Sequence, residues 1–431
     1  MSGRRGRRVP AGRELADHLI ERINDLRLEN PYPGKVVGRI SQYSEILGGY
    51  IRSYAFQYED DASYFQGSIF FESPADDKGI ATVEATFIIL DEEHEEGEAG
   101  RIVGQNVYDS TAGFYGYRDS IANIYLTAYC SKIDRWVIAY ERFDSYFDDV
   151  IPGCPPFYEN ESGSRVSQFW IDTIRQIIES LSCIHGEGVV HGRMYSSKSY
   201  VVDSNMTLKL VNIGRYSRSG VSTSHGDITG FFDYLCSQSS LGVSSSQEWV
   251  GFEYLYRSEE AMNNRSSWEN ALLDHPILLR PPAKLVCYMD IHGWTSRLNM
   301  RMRLNFANAL YCKMPSYLEL IQRGEREGLW DFIDKDCNLC VDMAGRIFMD
   351  KIYIDIIYFV RHFADHGRDY GEDWNAECIH DKIWTLFPGY MSMAYSVREV
   401  NYRDSNQANA AWNRLFSSSN LQRLNRRALP Y

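Results

Sequence analysis

CIHGEGVVHGRMYSSKSYVV, Cys183 to Val202, and LKLVNIG, Leu208 to Gly214, form the stretch whose reading decides the fold. It leaves a helix, passes through a turn and enters two short strand-like pieces, KSYVV and LKLVNIG. Immediately upstream, SQFWIDTIRQIIESLSCIH (Ser167 to His185) sets Phe169, Ile171, Ile174, Ile177, Ile178 and Leu181 on one broad apolar face, the mark of an amphipathic helix. Further back, beyond Pro152, Pro155 and Pro156, the pattern from about Ser53 to Tyr140 is that of strands. SIFFE, ATVEATFIIL and RWVIAY are rich in β-branched and aromatic residues, and the acidic run Asp91 to Glu98 between the last two reads as a solvated loop. Strands first, then a long helix, then a small strand pair is the order of a bilobal α+β domain.

The remaining chain sets bounds. Its 431 residues suffice for two or three domains. A net charge of −13 weighs against a generic nucleic-acid binder, because phosphate contacts need Lys and Arg; any RNA contact must be local. Nine scattered cysteines indicate reduced thiols inside a cell, and Cys337/Cys340 is a single CxxC without a second pair to complete a zinc site, so no metal is expected. No run reaches the roughly 18 apolar residues of a spanning helix, and the N-terminus lacks the apolar core of a signal peptide. The expected location is cytoplasmic, with Arg4, Arg5, Arg7 and Arg8 read as a solvated tail, a nuclear signal or an RNA-touching arm. Residues 14 to 27 repeat at helical spacing before Pro31, Pro33 and Gly34 break the pattern.

A second stretch matters for chemistry. KIYIDIIYFVRHFADH, Lys351 to His366, is almost continuously apolar at first yet holds Asp355, Arg361 and His366. Such a run reads as a buried helix, and a buried ion must be paired or lose its charge. An Asp355–Arg361 structural pair and a catalytic set are both compatible with that spacing.

The segment Cys183 to Gly214 resembles the catalytic region of protein kinases: His191 takes the first position of H-R-D-x-x-x-x-N, and LVNIG, ending at Gly214, falls where D-F-G belongs. On that match Arg193 stands at the catalytic Asp, Lys198 at the Asn, and Asn212 at the magnesium-binding Asp. Two cations in those places repel Mg²⁺ and cannot serve as carboxylates. Upstream there is no G-x-G-x-x-G, and GIATVEATF lacks the strand lysine, so the resemblance implies a pseudokinase for which ATP or ADP binding stays an open question. HGDITGFFDYL resembles the kinase helix that anchors the catalytic loop, with Asp227 as its buried carboxylate.

RSEEAMNNRSSWENALLDHPILLRPPAKLVCYMDIH, Arg257 to His292, resembles the last kinase helices running through His275-Pro276 into another helix. That junction is similar to the kinase-extension nuclease (KEN) architecture of the unfolded-protein-response kinase/endoribonuclease and RNase L family. The family signature is an Asp, an Arg six residues later, an Asn directly after it and a His five residues after the Arg. Here Asp355, Arg361 and His366 match, while His362 replaces the Asn and Phe348 stands where the family has a Tyr.

The expected architecture is therefore an α+β bilobal kinase-like domain over residues 50–275 followed by an all-α KEN-type domain over 276–396. A basic tail (1–13) and a helix with linker (14–49) precede them, and a basic tail (397–431) follows, where Arg398, Arg403, Arg414, Arg423, Arg426 and Arg427 outnumber Glu399 and Asp404. The resemblance implies metal-independent RNA cleavage by 2′-hydroxyl attack, needing no cofactor, in a homodimer. His366 would move protons, Arg361 would stabilise phosphate charge, and Asp355 would orient them, with His362 as a further acid or base. The alternatives are a catalytically dead scaffold that binds RNA, or a protein partner through the pseudokinase domain, and an atypical protein kinase.

Overall fold

A computed structural model describes residues 35–59, 62–72, 80–90, 97–115, 119–215, 223–259, 263–314 and 375–402, together with Ile357, Val360, Arg361 and Ala364. Contacts divide the chain into two compact units. One joins the described residues up to Ile151 to Cys183–Asp227, and the other joins Pro152–Ser182 to those from Ile228 onward.

The first unit is built on a six-stranded antiparallel sheet. β1 (Lys35–Ser44), β2 (Gly49–Gln57), β3 (Tyr64–Glu72), β4 (Ile80–Leu90), β5 (Ile124–Cys130) and β6 (Arg135–Glu141) lie in the order β1-β2-β3-β4-β6-β5. A helix, α1 (Gly97–Ala112), joins β4 to the edge strand β5, and β6 then fills the space between them. Strand periodicity of two sends alternate residues to opposite faces. Phe87, Val137 and Ala139 join Tyr54, Phe56 and Phe65 in one core, while Ile88, Ile138 and Tyr140 join Val107 of α1, Val201 and Val211 in the other. A sheet covered on both faces needs the near-continuous apolar runs that ATVEATFIIL and RWVIAY supply. A second, three-stranded sheet comprises β7 (Ser145–Tyr146), β8 (Tyr200–Val202) and β9 (Leu208–Leu210). The strand pattern thus begins earlier than Ser53, inside the span expected as a linker, and α1 interrupts the Ser53–Tyr140 span expected as strand, starting within the Asp91–Glu98 run read as a solvated loop.

Two helices bound the loop between the units' segments in sequence: α2 (Gln168–Gly186) before it and α3 (Ser224–Ser237) after it. The second unit adds α4 (Gln247–Tyr256), α5 (Arg265–Leu273), α6 (Pro281–Arg297), α7 (Met300–Lys313), α8 (Ala376–Leu386) and α9 (Tyr390–Tyr402). The path from α5 to α6 is not seamless: Pro276–Leu278 form a 3-10 turn, and α6 starts afresh with prolines at its first turn, where a missing N–H costs nothing. His275 closes this junction. It is fully buried, its Nδ1 accepts the Ile277 N–H at 3.2 Å, and its Nε2 lies 3.0 Å from Ser396 Oγ on α9.

α9 seats directly on α4. A Cβ at Gly251 would come within 2.7 Å of the Met393 nitrogen, so only glycine lets the backbones approach this closely. The helices before the His-Pro junction therefore share one core with those after it, and the second unit runs across residue 275. α9 also runs past residue 396, and Arg398, expected in a basic tail, is 3% exposed, 3.1 Å from Glu399 and over the Trp294 ring. Among the described residues no helix is long and apolar enough to cross a membrane.

Candidate functional site

In the first unit His185, His191 and Gly192 meet at Asp227. Its carboxylate, 1% exposed, accepts the backbone N–H of His191 at 2.7 Å and of Gly192 at 2.8 Å, and lies 3.0 Å from His185 Nε2. The His191 imidazole is itself buried and donates from Nε2 to the Val211 carbonyl at 2.8 Å. Burial pushes its pKa down, partly offset by the Asp227 charge, so the ring is held neutral.

The other matched positions are drawn into the same frame. Arg193 is half-buried, and its carbonyl accepts the Ser199 hydroxyl at 2.8 Å. Lys198 is exposed, and its carbonyl accepts Asn212 Nδ2 at 3.0 Å. Asn212 has φ 61°, the left-handed region that asparagine tolerates better than most residues, and its N–H donates to the Tyr140 hydroxyl at 3.0 Å. Gly214 follows with φ 77°, packed so that a Cβ would run into Ser110 of α1. The crossover after β6 is also self-satisfied. The Phe143 N–H donates to Thr86 Oγ1 at 3.1 Å, and the Phe143 carbonyl accepts Gln66 Nε2 at 2.7 Å, with Thr86 fully buried.

The second unit holds a different set. Of the stretch Lys351 to His366 the described residues are Ile357, Val360, Arg361 and Ala364, all helical; Ile357 and Val360 are buried, while Arg361 and Ala364 are half-buried. Asp355, His362, His366 and Phe348, as well as Cys337 and Cys340, lie outside the described residues. On α6 the His292 imidazole is pushed down by burial, then by the positive charges of Arg361 and Arg303. Arg303 is fixed at the end of α6, where its Nε donates to the Leu298 carbonyl at 2.9 Å and its Nη2 to the Ser296 carbonyl.

On the same helix, burial lifts the Asp290 carboxyl to about 6, against the pull of Arg398 and Arg297. Trp294 is walled by Phe306 at 5.1 Å and Tyr402 at 5.6 Å between ring centres, so this end of α6 is rigidly packed. Half-buried guanidinium groups beside a neutral imidazole can fork onto a phosphate and move a proton next to it.

His292, Arg303 and Asp290 were not singled out as site residues by the sequence. The available signal was MDIHGW, an acid and a histidine interleaved with residues that a buried helix needs, the same pattern that drew attention to Lys351–His366. Elsewhere in the unit the polar core is structural. Lys284 Nζ, wholly buried, lies 2.7 Å from Glu248 Oε2 and donates to the Ser164 carbonyl at 2.7 Å. Burial would lift Glu248, but Lys284 and His380 hold it down to about 2. Among the described residues no group of His, Cys, Asp or Glu is arranged to hold a metal ion. Comparison with protein-family models and with curated proteins finds no match to this chain.

Proposed function

We propose that the chain is a pseudokinase–KEN protein: a kinase-like unit without phosphotransfer joined to a helical nuclease that cleaves RNA without metal, as a homodimer. The observation that carries the reading is Arg361. It occupies the arginine position of the signature and is half-buried and helical, with Ile357 and Val360 of the same stretch buried. In a chain of net charge −13 any phosphodiester contact must be local, and an arginine at this position is the cation the signature assigns to it. The 2′-hydroxyl oxygen attacks phosphorus, the 5′ oxygen leaves, and Arg361 stabilises the charge on the non-bridging oxygens, giving a 2′,3′-cyclic phosphate and a 5′-hydroxyl.

The absence of phosphotransfer is supported by the residues themselves. Asn212 holds the Lys198 carbonyl, Arg193 replaces a carboxylate, and the Phe143 polar groups are already satisfied by Thr86 and Gln66. Nucleotide binding is accordingly not part of the proposal. The test is RNA cleavage in EDTA at high protein concentration. Wild type should yield cyclic-phosphate ends and His366→Ala should not; equal background with both proteins removes the reading.

A second reading, a dead scaffold, is favoured by the Asp227 hub, which holds the kinase-type loop by structural bonds alone. It predicts RNA binding or self-association without turnover.

A further inference from the structure

We infer that the exposed face of α7, continued by Arg297 at the end of α6, is a surface that holds single-stranded RNA by its phosphates. The inference rests on the reading above for RNA as the partner and adds a place where the strand is held. Between Asp290 and Glu319 the sequence carries Arg297, Arg301, Arg303 and Lys313 and no acid, in a chain whose Asp and Glu outnumber Lys and Arg by 58 to 45. α7 divides this stretch into two faces. At the helical period Arg301, Asn305, Asn308 and Cys312 fall on one stripe, and each of them is exposed. Phe306, Ala307 and Leu310 fall on the opposite side and are buried. That side is fixed in place: the Phe306 ring centre lies 5.1 Å from Trp294 and 5.8 Å from Tyr402. Asn299 starts the helix by accepting the Met302 N–H at 3.0 Å.

The cations of the stretch divide by what they do. Arg303 is committed to the carbonyls of Leu298 and Ser296 and ties α7 to the end of α6. Arg297, Arg301 and Lys313 are exposed, and among the described residues none of them forms an ion pair. Lys313 keeps its ammonium 4.4 Å from the centre of the Tyr254 ring, which fixes a charge at the far end of the helix. Arg301 and Lys313 are about 18 Å apart along the axis at the helical rise, with the amides of Asn305 and Asn308 between them. Other exposed arginines are answered differently: Arg101 by Glu98, Arg142 by Glu84, Arg257 by Asp233 and Glu253. Cations left unanswered on an acidic chain, spaced along a rigid helix with neutral hydrogen-bonding groups between them, complement a strand whose phosphates recur along its length.

The experiment uses the full chain and a fluorescein-labelled single-stranded 2′-O-methyl RNA, which keeps every phosphate but has no 2′-hydroxyl through which to be cut. Anisotropy gives its affinity across a salt series. Arg297→Gln, Arg301→Gln and Lys313→Gln should each flatten the plot of log affinity against log salt by about 0.7, the value of one phosphate contact to a single strand. The triple variant should bind about tenfold or more weakly at low salt. The pair Arg101→Gln and Arg142→Gln, which removes like charge from the first unit, should bind as wild type does. Thermal melts show that each variant is folded. Wild-type affinity in the triple variant, an equal loss in the control pair, or no binding by wild type overturns the inference. So does capture of the wild type by phosphatidylserine vesicles with no RNA bound, which would make the face a membrane contact. Cleavage of ordinary RNA is scored beside it. A wild type that cuts RNA, with triple variants that bind and cut equally well, overturns this surface and leaves the nuclease reading. A wild type that binds through α7 and never cuts does the reverse.

Discussion

His191 and His292 have pKa values displaced in the same direction by the same first cause, burial, yet their surroundings differ in kind. His191 sits beside Asp227, gives its ring proton to the Val211 carbonyl and has its main chain held by the same carboxylate. Every neighbour that acts on it fixes a position. At His292 the charges that act, those of Arg361 and Arg303, are positive and add to burial in disfavouring a proton. A depressed imidazole pKa alone therefore does not distinguish a structural histidine from a chemical one. The sign of the neighbouring charges does.

Removing the cation should give the largest effect. Arg361→Ala is expected to lower RNA cleavage by about 100- to 1,000-fold, the loss typical of one donor that stabilises transition-state charge, with little change in melting temperature. Initial rates on a fluorescent RNA and a thermal melt measure the two together; if cleavage falls only in proportion to stability, Arg361 is structural like His191.

The converse perturbation is Asp227→Asn. An amide cannot accept all the bonds that the carboxylate accepts from His191, Gly192 and His185, so destabilisation of about 3 kcal/mol is expected from charged hydrogen bonds replaced by imperfect ones. Denaturant unfolding reports it, and cleavage per folded molecule should stay at the wild-type level.

A third buried histidine extends the comparison to acid. In the folded protein His275 is pushed by burial down to about 3, from an ordinary value of 6.5. As pH falls the unfolded chain takes up this proton first, so the stability present above 6.5 is lost progressively between 6.5 and about 3. Glu248, held down to about 2 in the fold, adds a further loss below its ordinary 4.5. Melting temperature against pH should fall through this range in wild type and fall less steeply in His275→Asn, even if that variant starts lower.

The smallest effect belongs to the crossover. Thr86→Val removes the hydroxyl that accepts the Phe143 N–H and should cost about 1 kcal/mol. Isothermal titration of the same variant with ATP reads out whether a vacated polar group invites a nucleotide; no heat is expected from either protein.

What the sequence disclosed follows from how each feature is encoded. β4 and β6 were legible as apolar runs rich in β-branched and aromatic residues, and α2 because its apolar residues recur at the helical period. Asp227 and His191 were legible because a short motif carries them. β1 was not: KVVGRISQYS has Gly38 and several polar residues, and it needs only one paired edge and partial cover. α1 was hidden because GEAGRIVGQNVYDSTA buries mostly small residues, Gly100 and Gly104 among them, and Gly104 is where Thr127 of β5 approaches. The influence of Arg361 on the distant His292 is announced by no local period or motif. Arg398 was read as part of a tail because Ser417 to Ser419 and the arginines after it dominate that stretch, whereas the final turns of α9 belong to the core.

The glycine contact between α4 and α9 has a consequence for biosynthesis. The groove at Gly251 is made early by the ribosome, but the helix that fills it begins only at Tyr390, so His275 waits for Ser396 and the α4 surface stays uncovered until then. The helical unit therefore completes itself late in translation, and a nascent chain stalled before Tyr390 would present to chaperones an apolar groove shaped for its own missing segment.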